Sequence, residues 1–283
     1  MNKTIYFLFF VLNFIFSQNE SGYVFKATTN DYYIDIENVV ENHFGPWDIL
    51  VNFSGRNTRK FLGVDEKTQN LKFINGWEKV VASMRMDEKV KPIHQIQKMN
   101  GASYTEIYSA EGDYISRTPN NDRSREVDEE IFSNVMADMV GAQNINLFFP
   151  LGDDSIRYIG DIWSSEEEKI LKYLSGYDEF EGMQKAKSIF TFKQIKEKKG
   201  DKIAYLNQKS EIQIQGIGSL NSDNIEINTT LTGNAKIQFN LDKGIIKRCK
   251  QSLSSVGVSK NLSSNKEEKH TMNMSIQIKT KLK

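Results

Sequence analysis

The strictest constraint on the fold lies near the C-terminus. Met272, Met274, Ile276, Ile278, Thr280 and Leu282 alternate with Asn273, Ser275, Gln277, Lys279 and Lys281. A period of two places the first set on one face of a β-strand and the second on the other, so one face is buried and one is wet. A helix cannot present that pattern, because its repeat scatters alternate residues around the whole circumference. The segment is committed to a sheet with one covered side.

The same alternation fills the second half of the chain. Ala204, Leu206, Ile212 and Ile214 share a face, as do Ile225, Ile227, Thr229 and Leu231. Ala235, Ile237, Phe239 and Leu241 lead into Asp242-Lys243-Gly244, and residues 245–253 lead out. This predicts a hairpin with glycine at a positive φ. Residues 188–197 form a further strand that turns through Lys198-Lys199-Gly200-Asp201. Cys249 has the parity of Ile245 and Leu253, and reads as a small buried hydrophobe rather than a reactive thiol.

The first half repeats this style less cleanly. Strands are expected over residues 23–29, 32–40 and 48–53, and Val80, Ala82, Met84 and Met86 alternate. Residues 103–108 and 114–117 flank Ala110-Glu111-Gly112-Asp113, a second hairpin. One helix interrupts the strands. Ile131, Val135 and Met139 recur every fourth residue beside Phe132, Met136 and Val140, with Ser124 as the expected cap and Gly141 as the stop. Residues 118–125 are polar and read as a linker, and residues 164–174 read as a short helix or the approach to a strand.

The expected fold is mainly β (α+β). It is either a large curved antiparallel sheet or two similar half-barrels, with one principal amphipathic helix. The expected organisation is a leader over residues 1–18, a β-rich half over 19–123, and the helix with a second β-rich half over 124–283; residues 19–283 also read as one continuous domain.

Residues 1–18 set the compartment. Lys3 is followed by an apolar run and then by Ser17 and Gln18, the layout of a secretory signal peptide. At about a dozen residues the run is too short to span ~30 Å of hydrocarbon. The expected location is periplasmic or secreted, with no transmembrane span after the leader is removed. The single cysteine, Cys249, excludes an internal disulfide and a cysteine-type lipid anchor at the leader. The 37 basic and 37 acidic residues cancel, and no basic block occurs, so no nucleic-acid partner is expected.

Catalytic chemistry has little support. The three histidines, His43, His94 and His270, form no zinc or metalloprotease spacing. There is no nucleophile elbow and no phosphate-binding glycine loop. Gly216-Ile217-Gly218 lacks a third glycine and a following helix, and reads as strand flexibility or a bulge. Asp153, Asp154 and Asp161 do not have calcium-loop spacing and read as solvated turns. Neither a metal nor a cofactor is expected. The softer clue is aromatic: Phe148, Phe149, Tyr158 and Trp163, with Met136 and Met139 of the helix, are candidates for lining an apolar pocket between sheet and helix. The alternative places such residues in the core, as it does Trp77.

The order of segments carries a resemblance. A leader, strands and a helix precede Phe148-Phe149-Pro150 and Gly160-Asp161-Ile162-Trp163; a strand ending at Gly216-Ile217-Gly218 and the Leu241–Gly244 turn follow. This is similar to an uncharacterised family of exported β-rich proteins of bacterial envelopes. At the level of fold it resembles the half-open barrels of lipoprotein carriers and lipid-binding envelope proteins. The resemblance implies an envelope location and assigns no activity. Three functions follow as expectations: a non-catalytic envelope protein binding an apolar small molecule or an envelope component; a structural or protein-interaction module; and a hydrolase whose site is assembled in space around a histidine.

Overall fold

A computed structural model describes residues 22–23, 25, 30–44, 47–86, 88–108, 114–127, 155–171, 179–220 and 222–282. Within them the alternating segments form one antiparallel sheet of twelve strands. The first half contributes β1 (Tyr32–Phe44), β2 (Trp47–Val64), β3 (Leu71–Met86), β4 (Lys89–Pro92), β5 (Ser103–Tyr108) and β6 (Tyr114–Pro119). The second contributes β7 (Ile162–Leu171), β8 (Glu179–Lys198), β9 (Asp201–Leu220), β10 (Asp223–Asn240), β11 (Ile245–Asn261) and β12 (Glu267–Leu282). Two short helices, α1 (His94–Gln97) and α2 (Asp122–Val127), follow β4 and β6.

The strand order is β6-β5-β3-β2-β1-β12-β11-β10-β9-β8-β7, with β4 also paired to β3. Each half is a meander, and the halves meet where β1 pairs with β12, from Tyr32 opposite Leu282 to Phe44 opposite His270. Of the two expected architectures, the single large sheet is the one that forms. Among the described residues no pairing joins β6 to β7, so the sheet stays open.

One face of the sheet holds the core. Ile34 and Ile36 on β1, Phe53 on β2, Phe73 on β3, Leu206 on β9, Ile237 on β10, Leu253 on β11 and Ile276 on β12 are buried in one cluster. Each such side chain contributes about 1.5–3 kcal/mol through loss of apolar surface from water. The outward face of the second half alternates with it and is mostly polar, with Met183, Ile189, Ile217 and Val256 as exposed exceptions. Cys249 is fully buried, and burial pushes its thiol up to about 12.

The first half is harder to read because its parity shifts. Phe73, Asn75 and Trp77 are buried on odd positions of β3, then Val80 and Ala82 on even ones. The switch is a bulge: Ser54 faces Val81 but Arg56 faces Glu78, and Lys79 takes φ 55°. An extra residue in one strand flips every later side chain to the other face.

Three local expectations are corrected. Residues 118–125 are not a linker: Thr118 and Pro119 complete β6, and α2 follows at once. Ser124 does not cap the helix. Asn121 does, its Oδ1 accepting from the Ser124 N–H at 2.9 Å, while the buried Ser124 hydroxyl donates to the Ser103 carbonyl at 2.6 Å and ties α2 to β5. Gly216 and Gly218 lie within a continuous pairing of β8 and β9, with no bulge between Glu179 and Phe192. The glycines serve an aromatic ring instead: a Cβ at Gly182 or Gly216 would meet the Phe180 ring at 2.6 or 2.5 Å. The residue 164–174 ambiguity resolves as strand through Leu171. Of residues 23–29, Tyr23 makes an isolated bridge to Arg157. The helix expected over residues 131–141 and the leader lie outside the described residues.

Candidate functional site

The sheet register builds a hollow on the outward face. Val39 on β1 pairs with Ser275 on β12, which pairs with Ser252 on β11, then Asn234 on β10, Lys209 on β9 and Ile189 on β8. The neighbouring row runs Glu41, Asn273, Ser254, Thr232, Glu211 and Lys187. These twelve residues line an open trough of about 690 Å³. Its ends lie five strand spacings apart, about 24 Å. Because residues of both β1 and β8 line it, the sheet is dished toward this side.

The floor and the ends differ in chemistry. Ser252, Ser254, Thr232, Asn234, Asn273 and Ser275 are short hydroxyl and amide side chains, and Gly233 lies among them. None of the six uses its side chain in a hydrogen bond to another described residue. Val39 and Ile189 are 37% exposed and give each end an aliphatic edge. Lys187 is engaged by Glu166, whose carboxylate holds the ammonium above its usual range and is itself held below its own. Lys209 has no ion-pair partner among the described residues. The arrangement offers hydrogen bonds to a polar chain laid across the strands, with Lys187, Lys209 and Glu211 toward one end and Glu41 at the other.

Of the residues expected to line a pocket, Tyr158 and Trp163 are described, and neither lines the trough. Trp163 stacks on Phe190 with centroids 5.5 Å apart and packs against the core. Tyr158 is exposed in a turn where Asp161 accepts its N–H at 2.7 Å, which is the solvated-turn role expected of Asp161. Phe148, Phe149, Met136 and Met139 lie outside the described residues. Trp77 is a core residue.

The histidines do not converge on the trough. His43 lies at the end of β1 and bonds Asp48 at 2.6 Å across an exposed hairpin. His270 sits on the inner face of β12, its Nε2 3.2 Å from the Thr229 hydroxyl. His94 begins α1 and is exposed. Although His43 and His270 are close in register, their side chains leave opposite faces of the sheet. No group of three or more potential metal ligands forms among the described residues.

A buried polar cluster lies on the inner face. Arg59 Nη2 donates to the Tyr108 hydroxyl at 2.8 Å and to Glu106 Oε2 at 3.4 Å, and the Tyr108 hydroxyl donates to Glu106 at 2.6 Å. Burial, with Glu106 adding to it, holds the Tyr108 phenol well above its ordinary value against the pull of Arg59. The phenol therefore stays protonated and donates to the carboxylate. The groups bond one another away from water, which suits a structural network.

No protein-family model and no curated protein matches the chain. Among solved structures, a Parabacteroides distasonis protein provisionally described as a lipoprotein is similar over 89% of this chain and 97% of its own, at 8% identity and a TM-score of 0.23. Similarity at that level carries no argument about function, so the site rests on this chain's own geometry. No helix among the described residues is long and apolar enough to cross a membrane.

Proposed function

We propose that this is an exported, non-catalytic envelope protein that binds an envelope component in the outward trough. The observation that carries the reading is the trough itself, a dished surface across six strands whose floor, on β10, β11 and β12, holds hydroxyl and amide side chains that make no hydrogen bond to another described residue. The leader-like residues 1–18 support export. The hydroxyl and amide floor favours a polar component over the apolar small molecule expected from the aromatic residues. Polar side chains suit any wet sheet face; their gathering on the floor of a hollow is what supports binding.

Native mass spectrometry of the chain recovered from a bacterial envelope tests the proposal. A bound mass is expected on the natural chain and is expected to be lost from Ser254→Trp, which fills the trough from an exposed position of β11. The same apo mass for both, or the same bound mass for both, would overturn it.

A further inference from the structure

Beside the trough the outward face breaks a rule of sheet design. Lys236 on β10 stands directly opposite Lys250 on β11, and Arg248 on β11 directly opposite Lys279 on β12. Like charges in direct cross-strand pairs destabilise a sheet. Here two such pairs occupy neighbouring rows, about 7 Å apart along the strands. All four side chains are exposed, and none has an ion-pair partner among the described residues. Lys209 continues the series into the trough, since it faces Asn234, two residues before Lys236 on the same face of β10.

Glu41 and Glu211 line the second row of the trough, Glu211 two residues from Lys209 on the same face of β9. The unneutralised charge is therefore that of Lys236, Lys250, Arg248 and Lys279, on the far side of the first row. Asp35 is opposite Lys279, but it is held by Arg56 through bonds of 2.7 and 3.1 Å. Glu37 faces Gln277 at the rim. The whole chain has no net charge, so these four cations on three consecutive strands are a local concentration. A bound polyanion would relieve their repulsion and make their placement favourable.

We infer that the basic cluster and the trough together bind an acidic polysaccharide, the lysines and arginine taking its carboxylate, sulfate or phosphate groups and the floor taking its hydroxyls. The inference rests on the trough reading above and names the chemistry of its occupant. Charge complementarity selects a polyanion, and the shape selects among polyanions. Aromatic side chains are absent from the trough lining, so it lacks the stacking platform used for single-stranded nucleic acid. A dished floor of short polar side chains cannot lie flat on a bilayer. A hydroxyl-rich chain is what the floor complements.

The test uses the full chain with four probes: alginate as the acidic polysaccharide, neutral dextran, poly-L-glutamate, and vesicles containing phosphatidylglycerol. Alginate binding is expected, with dextran silent and affinity falling as salt rises. Lys236→Gln with Lys250→Gln is expected to weaken alginate binding about tenfold or more and flatten its salt dependence, while thermal stability holds or rises because a repulsive pair is gone. Ser254→Trp is expected to weaken binding with the salt dependence retained. No binding to alginate, equal or tighter binding to polyglutamate or vesicles, or indifference to the lysine substitutions would overturn the inference. If alginate fails while an envelope-derived mass is still lost on Ser254→Trp, the trough reading stands and only the polysaccharide falls.

Discussion

Gly257 shows how one missing side chain organises its neighbours. It pairs with Thr229 on one side and His270 on the other, and the imidazole crosses over it to reach the Thr229 hydroxyl. A Cβ there would stand 2.0 Å from His270 Nε2 and 2.5 Å from Thr229 Oγ1. Gly257→Ala should therefore expel the imidazole and cost about 1–3 kcal/mol, as overpacking does; an unchanged denaturation midpoint would contradict the crossing. The same site predicts a pH effect. Burial lowers the His270 pKa from its ordinary 6.5. The folded state thus favours the neutral ring, and this contribution is present above about pH 6.5 and is lost as pH falls through the folded value. In Gly257→Ala the ring gains water, so the His270 titration followed by NMR should move back up and the acid-side stability slope should shrink. The Arg59 cluster answers to a different balance. Removing one member of a buried ion pair strands the other charge, so Arg59→Met should cost about 3–5 kcal/mol in urea unfolding. Adding Glu106→Gln should recover much of that loss, and a double variant no better than the single one would show that packing of the Arg59 stem, rather than charge, sets the cost.

The hairpins and bulges of the sheet decide how much of it the sequence reveals. The turn between β8 and β9 has two residues, Lys199 and Gly200, with φ of 55° and 81°. That is the left-handed pair of a type I′ turn, which matches strand twist and favours Asn-Gly. Lysine is an uneasy occupant of the first position, since a left-handed conformation costs a side-chain-bearing residue about 1–2 kcal/mol. Lys199→Asn should stabilise the chain by up to about 1 kcal/mol, read as a raised melting temperature, and Lys199→Val should lower it; the opposite order would mean that turn strain does not limit stability. The turn was legible because Lys199-Gly200 lies between two clean alternations. The long second-half strands were legible for the same reason: their inward residues are mostly apolar and their outward residues mostly polar. The first half obscured itself twice. Bulges at Ser54/Arg56 and Phe61/Gly63 reverse the parity of β2 against β3, and inward positions hold Asn38, Asn57, Arg59 and Asn75, which are buried despite their polarity. A reader of periodicity takes such residues as outward, and so shortens β2 to residues 48–53 when it runs from Trp47 to Val64.

At the scale of the molecule, register is the information that the sequence withholds. Lys209, Lys236, Arg248, Lys250 and Lys279 are scattered over seventy residues of a neutral chain and become neighbours only through three strand pairings. The trough floor is hidden in the same way, since isolated serines and asparagines on wet faces carry no pattern until the strands align. Both features depend on the central part of the sheet, and this part depends on the seam between β1 and β12. The first and last strands of the described sheet pair with each other over thirteen positions at the middle of the strand order. Neither meander has its full complement of neighbours until the two ends meet, a non-local contact of the kind that slows folding. Deleting residues 267–283 would remove β12 and leave β1 and β11, of 13 and 17 residues, as long bare edges. Exposed edges of that length recruit other chains through their unpaired N–H and C=O groups. The expected outcome is loss of soluble monomer on size-exclusion chromatography, out of proportion to the few core residues removed. By contrast, Ile170→Lys on edge strand β7, where Ile170 is 71% exposed, should leave the monomer intact or improve its solubility. If the truncated chain remained a soluble monomer with native-like circular dichroism, the two meanders would be independently stable. The seam would then join finished units, and the trough, whose β1 wall lies across that seam, would belong to their junction rather than to a single cooperative sheet.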